Sequence, residues 1–250
     1  MSFALETNGL EKQFGGLKVT RDLSLRIEAG ARHALIGPNG AGKTTVINLL
    51  TGVLKPDAGR ILLEGNDITD LPVHTRVLRG LSRTFQINQL YADLTPLETI
   101  GLVVSERLGR GGDWWRRMGT RDDVNAEIAD NLARFHLLDV MNELTATLPY
   151  GKQRLLEIAV AIATKPRVLL LDEPAAGVPE GERHDILAAV TALPRDVTVL
   201  LIEHDMDLVF SFADRISVLV GGALLVEGPP GEVARDPRVK AVYLGEGADA

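Results

Sequence analysis

The chain of 250 residues contains no cysteine, so neither a disulfide framework nor a thiolate metal site can be built from it. It has no run of about 18 apolar residues, and its start, MSFALETNGLEKQF, lacks the basic and apolar stretches of an export signal. The expectation is a chain that neither spans a membrane nor is exported, so any membrane role falls to a partner. Positive charge is scarce: 27 Lys and Arg against 34 Asp and Glu leave a net charge of −7, which weighs against binding nucleic acid through its backbone phosphates. At 45% hydrophobic and 24% charged, what remains is the composition of an ordinary globular protein, long enough to bury a sizeable core as one domain.

Short β-branched and leucine-rich runs alternate with helical patterns: Arg32–Gly37, Arg60–Glu64, Leu81–Phe85, Arg167–Asp172, Val197–Ile202 and Arg215–Val220. VLLLD, from Val168 to Asp172, is apolar on both pleat faces, as in a strand covered by helices on each side. The pattern predicts an α/β fold with a largely parallel sheet. Two short amphipathic strands are expected before Gly30, and Ile216–Gly228 reads as a hairpin turning at Gly221-Gly222. From about Tyr91 to Lys165 the strand signals stop. Leu155, Ile158, Ala159 and Ile162 there share one helical face, which predicts a helical lobe inserted in the core. Within it, Gly109–Asp123 reads as a glycine-rich, mobile excursion. Of its Trp114 and Trp115, one reads as packing on the lobe, and Arg116 and Arg117 read as solvated, in preference to a lipid-headgroup or partner contact.

The residues LIGPNGAGKTTVINLL, 35 to 50, satisfy G-x-x-x-x-G-K-[ST] in full, with a strand before and a helix after. Gly37, Pro38, Asn39, Gly40, Ala41 and Gly42 would turn backbone N–H groups toward a phosphate, and the helix beginning near Lys43 adds its positive end. Lys43 would bridge β- and γ-phosphates, and Thr44, followed by Thr45, would offer its hydroxyl to Mg²⁺. Asp172, ending the most apolar strand, is the second anchor for the metal, and Glu173 can polarise water for attack on the γ-phosphate. The competing reading of Asp172-Glu173 as a mere helix cap is weak after such a loop.

LIGPNGAGKTT, RTFQ (Arg83–Gln86), LPYGKQR (Leu148–Arg154), LLLDEPAAG (Leu169–Gly177) and LLIEHD (Leu200–Asp205), in this order, resemble the ATP-binding subunit of ABC transporters over nearly the whole chain. In texture they are most similar to the ATPases of branched-chain amino-acid importers, down to an ending in AVYLGE (Ala241–Glu246). The resemblance implies an α/β fold: a P-loop NTPase (RecA-like) core with a mostly parallel sheet, an N-terminal antiparallel β subdomain and an inserted helical subdomain. Residues 1–250 would form a single ABC domain, with 1–90 and 165–250 as the nucleotide-binding core and 91–164 as the helical signature subdomain. It implies ATP and Mg²⁺ as cofactors.

By the same resemblance, Gln86 touches Mg²⁺ or the attacking water, and His204 hydrogen-bonds the γ-phosphate. Phe14 matches the adenine-stacking aromatic, with a strand-end core phenylalanine as the open alternative. His33, His74, His136 and His184 keep a structural reading. Tyr150, Gly151 and Gln153 would act in trans on the nucleotide of a second subunit, so that ATP closes a dimer and hydrolysis opens it. The implied partners are integral membrane permease subunits, a second copy or related ATPase, and indirectly a substrate-binding protein, with no nucleic acid. The implied place is the cytoplasmic face of the inner membrane.

Two positions depart from the family pattern. Pro149 stands where the signature has serine, removing a donor whose loss at a transition-state charge costs roughly 2.7–4 kcal/mol. Pro179 replaces the aspartate after the DEP segment, which bears on communication between the two sites. The alternative functions are an ABC-type ATPase without a membrane partner, in translation or DNA repair, and a nucleotide switch or kinase. The first usually carries paired cassettes or coiled-coil insertions, and the second needs N-K-x-D and D-x-x-G, none of which is present.

Overall fold

The computed structural model describes residues 2–84, 90–109 and 122–245. The chain begins with β1 (Phe3–Phe14), β2 (Leu17–Glu28), β3 (Arg32–Ile36), α1 (Lys43–Thr51), β4 (Ala58–Leu63), β5 (Asn66–Asp67), α2 (Val73–Leu78) and β6 (Leu81–Arg83). Helices α3 (Pro96–Arg107), α4 (Asp122–Arg134) and α5 (Tyr150–Ala163) follow, then β7 (Val168–Asp172) and α6 (Glu180–Thr191). The chain continues through β8 (Thr198–Ile202), α7 (Met206–Phe212), β9 (Arg215–Val220), β10 (Ala223–Gly228), α8 (Pro230–Val233) and α9 (Pro237–Gly245). Residues 1–83, 167–173 and 194–250 form one compact unit, and residues 84–166 and 174–193 a second. Residues 174–193, which carry α6, fall in the second unit. Among the described residues no helix is long and apolar enough to cross a membrane.

The first unit carries two sheets. Six strands lie in the order β10-β9-β3-β8-β7-β6, parallel except for the β9-β10 hairpin. Every residue of β3, β7 and β8 is buried, which explains why their sequences lack the polar alternation of a half-exposed strand. The β9-β10 turn is made by Gly221 and Gly222 with φ of 55° and 81°, the positive pair that a two-residue hairpin turn requires. The second sheet, β2-β1-β4-β5, is antiparallel.

Its first two strands are 12 residues each, not short as expected from sequence. Register shifts along the β1-β2 ladder, beside Gly9 (φ 58°) and Asp22 (φ 44°), let pairing continue where the apolar alternation slips phase. Leu23, Leu25 and Ile27 point into the core while Ser24 and Arg26 point out.

In the second unit, α3 begins with a capping box: the Thr95 hydroxyl accepts from the Glu98 backbone N–H, and Glu98 Oε2 accepts from the Thr95 N–H at 2.9 Å. Helix α5 packs against α3, α4 and α6. It buries the predicted face at Leu155, Ile158 and Ala159, with Ile162 half-buried, and also Leu156, Ala161 and the ion pair Arg154–Glu157 at 2.6 Å. It is therefore a central helix rather than a surface one, because three neighbours cover more than one stripe.

One buried titratable group ties the six-stranded sheet to pH. His33 on β3 places Nε2 2.8 Å from the Ser217 hydroxyl on β9, which donates to Glu227 on β10, itself paired with Arg215. Burial pushes the imidazole down from 6.5 to about 4, helped by Arg215 and opposed by Glu227. Nδ1 has no hydrogen-bond partner among the described residues, so a second proton on the ring finds no acceptor. The unfolded chain takes up that proton near pH 6.5 and the folded chain only near 4. Stability present above pH 6.5 is therefore lost as pH falls toward 4, by up to roughly 3 kcal/mol. The urea midpoint is expected to drop between pH 7 and 4.5, and His33→Gln to flatten that drop.

Candidate functional site

The loop after β3 is shaped by its glycines. A Cβ on Gly37 would lie 2.2 Å from the Leu219 carbonyl oxygen, so only glycine lets the loop pass over β9. Gly42, with φ 101°, stands at the N-cap of α1. That helix start has no side-chain cap and no acidic residue in its first turn, so its N–H groups and positive dipole end are set for an anion. Lys43 Nζ donates to the carbonyls of Gly37 at 2.5 Å and Pro38 at 3.1 Å, which holds the ammonium at the loop. Asn39, Gly40 and Thr44 are exposed, Pro38 and Thr45 half-buried, and Ala41 buried, while Val46, Ile47, Leu49 and Leu50 anchor α1 in the core.

The hairpin turn braces the same loop. The Gly222 N–H donates to Ala41 O at 3.0 Å, and Gly222 O accepts from the Arg21 N–H of β2 at 2.8 Å. A Cβ on Gly222 would lie 2.1 Å from the Val19 carbonyl oxygen. The sequence reading gives Gly222 only its turn, because a tertiary strut of this kind leaves no periodic trace.

Parallel register sets the remaining groups at one edge. Leu35 of β3 and Asp172 of β7 both pair with Ile202 of β8, so the phosphate loop, Asp172 and the Glu203-His204 step leave the carboxyl edge at the same height. Glu173 adopts φ 47°, a left-handed conformation uncommon for a side chain with a Cβ, and its N–H donates to Ile202 O at 3.0 Å. That turns its carboxylate toward His204, whose Nδ1 lies 3.6 Å from Glu173 Oε1 and 3.8 Å from Glu203 Oε2. Glu203 is buried and accepts the His204 backbone N–H, a role that the sequence reading, which quotes it only inside LLIEHD, does not find.

The buried Asp172 accepts from Arg83 Nη2 at 2.8 Å. A hydroxyl at Thr44 and a carboxylate at Asp172 are hard oxygen donors suited to Mg²⁺. Among the described residues no group of three or more His, Asp or Glu could hold a metal ion.

Phe14 ends β1 at 47% exposure with Lys12 Nζ 5.7 Å from its ring centroid, so it is a surface aromatic and not the core phenylalanine of the alternative reading. Gln86 lies outside the described residues, as do Trp114, Trp115, Arg116 and Arg117.

The signature residues belong to the second unit. Tyr150 and Gly151 open α5 behind Pro149, which occupies the N-cap with no side-chain hydrogen bond. The Gly151 N–H donates to Glu182 Oε2 at 3.0 Å, and Gln153 Nε2 donates to Leu148 O at 2.9 Å. The Tyr150 ring lies 5.4 Å from the Arg154 guanidinium. Pro179 holds the N-cap of α6 in nearly the same extended conformation as Pro149, so both helix starts have a fixed φ.

Residues 20–176 match the ABC transporter family, and residues 223–249 match the branched-chain amino acid ATP-binding cassette transporter family. The chain is 41% identical over 249 residues to the high-affinity branched-chain amino acid transport ATP-binding protein BraF of Pseudomonas aeruginosa, covering 97% of this chain and 98% of that one. It is 39% identical over 251 residues to LivG of Escherichia coli, named for the same transport, with 97% and 98% covered. Among solved structures, the ADP conformation of an ATP-binding cassette of an ABC transporter superposes with a TM-score of 0.83 at 32% identity, covering 98% and 99% of the two chains. A nucleotide-free ATP-binding cassette superposes at 0.82 with 31% identity, covering 97% and 99%. The chain belongs to the ABC transporter family and is one of its ATP-binding cassettes.

Proposed function

We propose that this chain binds and hydrolyses Mg-ATP as the motor subunit of an importer for branched-chain or other hydrophobic amino acids. The observation that carries the reading is the shared carboxyl edge, where the uncapped start of α1, Asp172, Glu173 and His204 leave the sheet together. The 41% and 39% identities to amino-acid transport ATP-binding proteins support the substrate class. They do not favour an ATPase acting without a membrane partner.

In this reading the N–H groups of Gly40–Thr45 and Lys43 hold the phosphates, and Phe14 stacks on adenine. Thr44, Asp172 and Gln86 would hold Mg²⁺, which would supply positive charge to offset the negative charge developing on the phosphates. Glu173 orients the attacking water and accepts its proton, while His204, steered by Glu173 and Glu203, donates to the γ-phosphate. Tyr150, Gly151 and Gln153 complete the site of a second subunit, a copy or a related cassette. Its ATP then joins the two, and the cycle is passed to permease subunits at the cytoplasmic face of the membrane, with a substrate-binding protein acting at one remove.

The experiment is uptake of labelled leucine, isoleucine and valine by cells whose only copy carries Lys43→Ala. Uptake is expected to fall to background while an unrelated importer's substrate still enters. Undiminished uptake of all three would sink the assignment.

A further inference from the structure

Arg83 closes β6 with its guanidinium held between two groups far apart in sequence. Nη1 donates to Asn48 Oδ1 at 2.7 Å and Nη2 to Asp172 Oδ2 at 2.8 Å. The Arg83 and Asp172 side chains are 10% and 5% exposed, so solvent screens this pair little. Asn48 stands four residues after Thr44 in α1 and therefore on the same helical face. Arg83 thus ties Asp172 to the helix face that carries Thr44. It fixes the turn of the carboxylate by engaging Oδ2.

We propose that Arg83 is a positioning residue that sets the spacing and orientation of Asp172 relative to Thr44, and so the affinity of the nucleotide site for a divalent cation. This rests on the reading of those two residues as metal anchors. A hexacoordinate Mg²⁺ tolerates little departure from ideal geometry, so a small displacement of one anchor is felt as lost affinity. Guanidinium is suited to the task because its planar fork holds two acceptors at once, whereas an ammonium on a flexible stem fixes neither direction.

The test titrates MgCl₂ into the full chain with a fluorescent N-methylanthraniloyl-ATP, starting from EDTA. Arg83→Lys keeps the charge and loses the fork, Asn48→Ala removes one prong, and Asn48→Asp restores an acceptor. The Mg²⁺ concentration at the binding midpoint is expected to rise about tenfold in Arg83→Lys and Asn48→Ala. It should stay within about threefold of the parent in Asn48→Asp, and affinity in EDTA within about twofold in all three. Unchanged Mg²⁺ midpoints in Arg83→Lys and Asn48→Ala overturn the proposal even if both melt earlier, since Arg83 is then structural. Equal losses in EDTA and in Mg²⁺ overturn it too, because the fault then lies in the phosphate loop. A parent protein whose nucleotide binding ignores Mg²⁺ instead overturns the assignment of Thr44 and Asp172.

Discussion

Glu173→Gln is expected to lower ATP hydrolysis about 10²- to 10⁴-fold while Mg-ATP still binds. The substitution keeps the size of the side chain and the left-handed backbone at φ 47°, so it removes proton acceptance and little else. Of the groups at the carboxyl edge, Glu173 is the carboxylate turned toward the exposed His204 ring, whereas Asp172 is engaged by Arg83 and Glu203 is buried. With hydrolysis stopped, the nucleotide stays intact, and light scattering should record a doubling of mass with Mg-ATP but not Mg-ADP. A rate within a few-fold of the parent would move the base elsewhere. A variant that binds ATP and remains a monomer would point to a different cassette as the partner.

Gly222→Ala is expected to damage nucleotide binding although Gly222 belongs to no phosphate-binding motif. The new methyl would meet the Val19 carbonyl oxygen at 2.1 Å, on a backbone with φ 81°. Left-handed strain and forced displacement together cost about 2–6 kcal/mol. In a chain of this size that lowers Tm by roughly 5–20 °C. Relief requires the turn to lift, which pulls on the Gly222 N–H to Ala41 O bond and opens the loop ahead of Lys43. Gly221→Ala is the control: nothing lies within 4 Å of its Cβ, so only the φ of 55° is strained, at about 1–2 kcal/mol. Equal nucleotide affinities in the two variants would show that the hairpin does not brace the loop.

What the sequence discloses here is what local chemistry encodes. The phosphate loop, the all-apolar β7 and the Gly221-Gly222 turn are legible because each needs particular residue types at adjacent positions. The length of β1 and β2 is not legible, because bulges interrupt the alternation on which a strand is recognised. Nor is the company that α6 keeps, with Glu182 reaching the Gly151 N–H, or the fork of Arg83 on Asn48 and Asp172. Those depend on side chains that meet only after the strands have been ordered, and no periodicity announces them.

The strand order also has a consequence for synthesis. Strand β3, which delivers the phosphate loop, has as its sheet neighbours β8 and β9, and the latter ends at Val220. A nascent chain emerging from the ribosome therefore carries five buried-type residues at Arg32–Ile36 with no sheet neighbour until β8 is made at Ile202, and with both neighbours only once β9 is made at Val220. Long-range parallel pairing of this kind closes slowly and leaves apolar edges open to other chains meanwhile. Truncation before β9 leaves the phosphate loop without one wall, and growth at high temperature or on stalled translation is where this protein would first call on chaperones.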